Sequence, residues 1–473
     1  MQGGVASLDT CGKCRLNMTN GHSREVVRAH AAYKNYRARR TERVNERGDA
    51  LYYSFARGIF RSEDRELLPT TIALPQPAPS RLPGSTSSYA RIFSPELDLI
   101  LACCGDDPDG RLSARIQQIL RDGVDWERLV ELVHHHGLVP LVYRRLSAEK
   151  DASRSPGLEA LRQQDTANAH RTLWLTLELL NIHRHLRARG LEVLPYKGPV
   201  LAEALYGNVA LRQFSDLDLL IRGDDLPTIK EALAELGYEP GLRLAQAAER
   251  DYLKSGYEFT FDGARGRNLL EIKWQILPRF YAIGFDVNDF FERAAVVTIE
   301  GQQLRTLCAQ DLMLVLCVHA AKHAWKQISW LCDIVQLARS HALDWTALQA
   351  KAEGLGITRI VAVAFLLAHK LLGAGLPAQL GTERDADAEV LAQRIVPLIV
   401  SEEEFDPESM AYFRLMMELR ERRRDRFSFW WRLLFTPGAG EWSAVRLPGA
   451  LSPLYRVVRI CRLAGRLILP RSV

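Results

Sequence analysis

Residues 196–222 read YKGPVLAEALYGNVALRQFSDLDLLIR, and the fold of the chain turns on them. Asp216 and Asp218 are separated by one apolar residue and followed by Leu219-Leu220-Ile221. On a β-strand, residues i and i+2 point to the same side. The spacing therefore predicts two carboxylates that project together while Leu217 and Leu219 enter a core. Two such carboxylates at a strand end make a hard-oxygen site suited to Mg²⁺, able to position a nucleoside triphosphate. Upstream, Lys197-Gly198 precedes GPVLAEALYG (198–207), a helix with Pro199 just inside its start.

Working outward, the pattern of residues 191–307 is that of a small α/β unit. LEVLPYKG (191–198) is a short β-rich run and SDLDLLIR (215–222) a strand. DDLPTIKEALAELGY (224–238) is an amphipathic helix ended by Gly237, and YEFTF (257–261) and NLLEIKWQI (268–276) alternate as strands. DVNDFFERA (286–294) is a helix, and VVTIEGQQLRTL (296–307) a hairpin around Glu300-Gly301. Residues 91–190 and 308–473 carry helical apolar spacing and caps instead. In the first region, helices open at Ser94-Pro95-Glu96 and Asp125 and a long one spans 158–189. In the second, strongly basic helices are expected at 407–434 and 453–468. His134-His135-His136 point in three directions around a helix and read as a helix end, where His is electrostatically welcome. Residues 1–90 include a basic stretch at 24–58 and a Pro/Ser/Gly-rich stretch at 68–88, and read as a low-order extension.

Bulk composition agrees with a globular protein. The 473 residues are 47% apolar and 25% charged, with a net charge of +5. That mild excess does not by itself imply a nucleic-acid partner. The eight cysteines form no regular framework; Cys11 and Cys14 make one CxxC, half a zinc motif. The set reads as reduced thiols. With no charged-then-apolar leader at the start and no run of 18 apolar residues, a cytoplasmic chain without a membrane span is expected.

Nucleotidyl transfer needs metal ions that bridge attacking and leaving oxygens, donors for the triphosphate, and a carboxylate near the acceptor. Asp216 and Asp218 are candidate ligands for two Mg²⁺ ions. Glu271, in a later strand among apolar neighbours, is the candidate third ligand and catalytic carboxylate. Gly198 lets the backbone approach a phosphate at a helix start. Lys197 and Arg212 are candidate phosphate donors, and Ser215 a candidate contact to the metal's water shell. His319 and His323 share a helix face and, with Lys322 and Trp325, could line a nucleotide cleft.

These motifs resemble the polymerase-β-type nucleotidyltransferase superfamily, and more closely the bacterial family of uncharacterised nucleotidyltransferases. The resemblance rests on Lys197-Gly198, Leu201, Leu205-Tyr206-Gly207, Arg212, Asp216-Leu217-Asp218-Leu219-Leu220, Gly237-Tyr238, Glu271 with Trp274, His319, His323 with Trp325, and Trp330-Leu331 with Asp333. It implies an α+β fold in which a small mixed-sheet nucleotidyltransferase core (191–307) lies between helical regions. It also implies an enzyme that moves a nucleoside monophosphate from an NTP to an acceptor hydroxyl.

The chain departs from the family pattern at Pro199, at Glu271, which stands where the family often has Asp, and at Lys273, which stands where a His is common. Pro199 follows Gly198 where the superfamily usually has Ser, and proline donates no backbone N–H. Lys273 points to the same side as Glu271, where it can pair with the acid. These departures leave a non-catalytic nucleotide- or partner-binding module as the alternative. The basic helices leave a toxin-like transferase acting on tRNA as another. The acceptor is not legible.

Overall fold

The computed structural model describes residues 93–468, apart from 106, 108, 153–154, 264–267, 382–384, 402–408 and 446. The CxxC and the N-terminal extension lie outside the described residues. Among the described residues five helices come first: α1 (Pro95–Cys104), α2 (Arg111–Asp122), α3 (Trp126–His135), α4 (Val139–Leu146) and the long α5 (Pro156–Arg187). The central part then runs β1 (Leu194–Pro195), α6 (Gly198–Tyr206), β2 (Asp216–Leu220), α7 (Leu226–Glu235), β3 (Glu239–Pro240), α8 (Gln246–Ser255), β4 (Glu258–Asp262), β5 (Leu269–Lys273), α9 (Val287–Glu292), β6 (Ala295–Ile299) and β7 (Gln302–Thr306). The described residues then form α10 (Ala309–Lys322), α11 (Ile328–Ser340), α12 (Trp345–Leu355), α13 (Thr358–Leu372), α14 (Ala386–Val400), α15 (Met410–Glu418), α16 (Arg423–Phe435), α17 (Ala439–Ala444) and α18 (Tyr455–Ile468). The fold is α+β: a small mixed sheet and a hairpin flanked by helices.

The main sheet has the order β1-β2-β5-β4-β3. Its centre is the parallel pair β2/β5, in a register that sets Asp218 beside Glu271. β4 runs antiparallel to β5 and sets Thr260 beside Glu271 and Glu258 beside Lys273. The alternation in β2 does what the spacing predicts. Leu217 and Leu219 pack with Leu270, Ile272, Phe259 and Phe261, and with Leu175 and Leu179 of α5 and Ile229 and Leu233 of α7. Each such burial removes apolar surface worth about 1.5–3 kcal/mol.

The opposite face carries the acids, but it is not open to water along its length. Leu220 on that face joins a second core with Leu194, Tyr196, Leu201 and Leu205. This core continues through α1–α4 and α10–α16, so helices from both ends of the chain share one interior. The β6/β7 hairpin turns at Glu300 (φ 49°) and Gly301 (φ 72°), two consecutive left-handed residues that fit a tight hairpin.

Two stretches differ from expectation. Residues 407–434 were expected to be one basic helix; the described part forms α15 and α16, broken at Leu419–Arg422. Arg420 is buried at this break, its side chain reaching the carbonyls of Ala282 and Leu355. Residues 239–255, for which no element was expected, add the short β3 and the helix α8. The three histidines do close α3, with His136 as its C-cap. The described cysteines are all free thiols.

Candidate metal and nucleotide site

β2 and β5 bring three carboxylates together. Asp216, Asp218 and Glu271 offer oxygens that all lie within 4.8 Å of one another. Among the described residues this is the one group of His, Cys, Asp or Glu with that geometry. Glu258 of β4 joins the same face through the sheet register. Sequence reading missed it, although the Glu258/Thr260 alternation in YEFTF carries the signal.

Lys273 ties the acids together. Its Nζ lies 2.5 Å from Asp218 Oδ1, 2.6 Å from Glu271 Oε2 and 3.5 Å from Glu258 Oε2. Its side chain is only 6% exposed. Lys197 Nζ approaches the same Asp218 oxygen at 3.6 Å and His319 Nδ1 at 3.3 Å. Asp218 Oδ2, by contrast, is buried without a hydrogen-bond partner. A buried carboxylate oxygen left unpaired is costly. Set beside two more acids, it suits a divalent cation.

The charge pattern follows from burial and neighbours. Burial opposes ionisation of Asp218, but Lys197 and Lys273 override it and hold the carboxyl well below its usual range. Burial and the neighbouring Asp218 charge raise Asp216. Glu271 is pushed up to about 7 by burial; Asp218 and Glu258 act in the same sense against Lys273. Burial lowers Lys197, and lowers Lys322 to about 8. His319 is held well below its ordinary value by burial and the Lys197 ammonium, so its ring is neutral.

The turn before α6 places Lys197. Gly198 has φ +57°, and a Cβ there would lie 3.3 Å from the carbonyl oxygen of Asp216. Only glycine meets both demands at low cost. Pro199 occupies the first turn of α6 and offers no backbone N–H there.

The other candidate residues have mixed placements. Arg212 gives its Nε to Asp333 Oδ2 at 2.9 Å, and Asp333 Oδ1 accepts from the Tyr206 hydroxyl at 3.0 Å. This trio, with Asp333 buried and Tyr206 and Arg212 partly buried, ties α6 and the segment before β2 to α11. Arg212 still lies close enough to Asp216 for the two charges to interact. Ser215 is exposed, and its carbonyl accepts from Arg171 of α5 at 3.2 Å. Arg171 also feels the charge of Asp216; it lies 44 positions upstream of Ser215, and no local pattern in the sequence links them. His319 and His323 stack edge-on at 4.9 Å, and Trp330 packs against both. Trp325 does not line a cleft. It is fully buried in the helical core, after two left-handed residues, Ala324 and Trp325 itself, that end α10.

A cleft of about 1030 Å³ lies elsewhere, lined by residues such as Arg222, Arg250, Trp274 and Arg279. None of the three carboxylates lines it.

Residues 122–373 match the family described as uncharacterised nucleotidyltransferase. That match spans more than half of the chain and contains every candidate residue above, so the chain belongs to this family. No curated protein and no solved structure matches it.

Proposed function

We propose that this member of the uncharacterised nucleotidyltransferase family moves a nucleoside monophosphate from an NTP to an acceptor hydroxyl in a Mg²⁺-dependent reaction. The observation that carries the reading is the meeting of Asp216, Asp218 and Glu271, with one buried Asp218 oxygen unpartnered. The transferase core is assigned to residues 191–307.

Asp216, Asp218 and Glu271 would hold the divalent metal. When bound, the metal supplies Lewis-acid stabilisation of the charge that develops on the transferring phosphoryl oxygens. Lys197, beside Asp218 at the start of α6, is placed to meet the triphosphate where the helix N-terminus also favours an anion. Glu271, with its carboxyl near 7, is poised to take a proton from the acceptor at neutral pH. Arg212 acts mainly by positioning: its bond to Asp333 fixes the backbone that leads into Asp216.

The placement of Lys273 favours a second reading, a non-catalytic nucleotide-binding module. Its ammonium already bridges Asp218 and Glu271. The two readings separate in one experiment with labelled NTPs and an extract of the source cells. Transfer should release pyrophosphate and should vanish in Asp216→Ala and Asp218→Ala while circular dichroism shows folded protein. Unchanged turnover in both variants would sink the catalytic reading. ATP binding that is indifferent to Mg²⁺ and never followed by pyrophosphate release would favour the second.

A further inference from the structure

The described residues expose thirteen large hydrophobic side chains, and eight of these lie between positions 427 and 460. This clustering falls outside the family-matched segment, which ends at residue 373. On α16 the exposed side chains form a stripe. Phe427, Trp430 and Trp431 are 65%, 51% and 52% exposed, and Phe427 stacks on Trp431 with ring centroids 6.2 Å apart. α18 packs against α16, where Arg459 Nε donates to the Leu433 carbonyl at 3.1 Å. It exposes Val457 and Ile460 in turn.

The charge of the same segment is distinct. Residues 420–468 hold 11 arginines, no lysine and 3 acids, in a chain whose total net charge is +5. These residues sum to +8, so the rest of the chain sums to a slightly acidic total even though residues 24–58 are also basic. Arg423 at the start of the α16 stripe and Arg456 beside Val457 are exposed, with no carboxylate partner among the described residues. Arg432 follows Trp431 and gives a hydrogen bond to the Arg279 carbonyl. The Nε of Arg279 is buried with no partner. Two neighbouring guanidiniums without an intervening acid suit a phosphate group.

From this we infer that α16 and α18 form a docking surface for an anionic lipid bilayer, with Phe427, Trp430 and Trp431 entering the interface and arginines meeting the headgroup phosphates. Amphipathic helices with an aromatic apolar side and an arginine-rich border lie in the plane of such interfaces, and tryptophan settles at the headgroup level. The aliphatic part of the patch decides between a bilayer and single-stranded RNA. Bases gain from aromatic planes and cations, but exposed Val457 and Ile460 gain only from hydrocarbon. No helix of the described residues is long and apolar enough to cross a membrane, so the contact is one of surface attachment.

The test is sedimentation of the full chain with vesicles of phosphatidylcholine alone or mixed with phosphatidylglycerol. The mixed vesicles should carry the protein down and the neutral ones should leave most of it in solution. The exposed triple variant Phe427→Ser/Trp430→Ser/Trp431→Ser should lose binding by ~10-fold or more. Arg423→Gln and Arg456→Gln should each lower it by about fivefold, as expected for one basic residue near an anionic surface. The inference is overturned if the parent ignores the mixed vesicles or if the triple variant binds them as well as the parent. It is also overturned if the triple variant instead loses binding to a single-stranded RNA, or loses a dimer seen by sedimentation velocity.

Discussion

Replacing Lys273 with Met removes the ammonium from among four acids while keeping the length of the side chain. Lys273 Nζ touches Asp218 at 2.5 Å and Glu271 at 2.6 Å and is nearly sealed from water. Breaking a buried ion pair by deleting one partner costs about 3–5 kcal/mol. Two responses keep the loss near the lower end. Lys197 still stands 3.6 Å from Asp218, and Glu271, already at about 7, can take up a proton. In a chelator at pH 7 the variant should therefore lose about 3 kcal/mol, less than the total stability of ~5–15 kcal/mol typical of a domain. Mg²⁺ should restore part of the loss: a ligand at 100 times its dissociation constant adds about 2.7 kcal/mol. It should help the variant more than the parent, because the acids no longer share an ammonium. Urea unfolding followed by circular dichroism, in EDTA and in MgCl₂, measures both quantities. A variant within about 1 kcal/mol of the parent in EDTA would refute the electrostatic role assigned to Lys273, as would equal stabilisation of both proteins by Mg²⁺.

Gly198→Ala forces a side chain into the left-handed region against the Asp216 carbonyl. It should cost about 1–2 kcal/mol and lower NTP turnover further, through displacement of Lys197; a variant with parental turnover contradicts that placement. Arg212→Ala and Asp333→Ala should each destabilise the fold, and a double-mutant cycle should return a coupling of about 1–3 kcal/mol; additive losses would show the pair to be independent. His136 is buried and its ring is held down at about 4, from an ordinary 6.5, chiefly by burial. Its folded-state value is depressed, so the stability it contributes is complete above pH 6.5 and is lost as pH falls towards 4. The loss is on the order of 3 kcal/mol, and His136→Gln should flatten the unfolding free energy over that window.

The residues that announced themselves in the sequence are those whose chemistry is local. Asp216-Leu217-Asp218 declares its two faces through strand alternation alone, and Gly207 and Gly237 end their helices with left-handed backbone. Glu271 could be named because an acid among apolar strand residues needs a partner. What sequence could not supply is pairing between distant segments. Lys273 was expected to touch Glu271, two residues away, but its shorter contact is with Asp218, 55 residues earlier. Only the parallel β2/β5 register creates that contact. Arg212 read as a phosphate donor because nothing local shows that Asp333, 121 residues on, claims its Nε. Trp325 shares its helix end with His323, yet the left-handed turn at Ala324 directs it into the core. The break at Leu419–Arg422 escaped for a related reason: arginine-rich helical periodicity continues across it, and the reason to break lies in carbonyls of other elements.

On the proposed reading, the same register makes metal binding a proton-linked event. Four carboxylates (Asp216, Asp218, Glu258 and Glu271) crowd this face beside the ammoniums of Lys197, Lys273 and Lys322, and Arg171 and Arg212 lie close enough to Asp216 to interact with its charge. Burial, with the Asp218 and Glu258 charges acting in the same sense, raises Glu271 to about 7, so it holds a proton below that pH. A divalent cation that uses Glu271 as a ligand must expel this proton, because ligating carboxylates bind deprotonated. Glu271 has its carboxyl raised, so the ligating form is present above pH 7 and is lost as pH falls through that value. Mn²⁺ affinity should therefore be flat above pH 7.5 and weaken by roughly tenfold for each pH unit below 7. Calorimetry at pH 6.5 in buffers of different ionisation enthalpy should report between half a proton and one proton released per ion. In Glu271→Gln the pH dependence and the proton release should both disappear, while weaker binding to Asp216 and Asp218 remains. Affinity that does not change between pH 6 and 8 in the parent would remove Glu271 from the metal site and leave it as a partner of Lys273 alone.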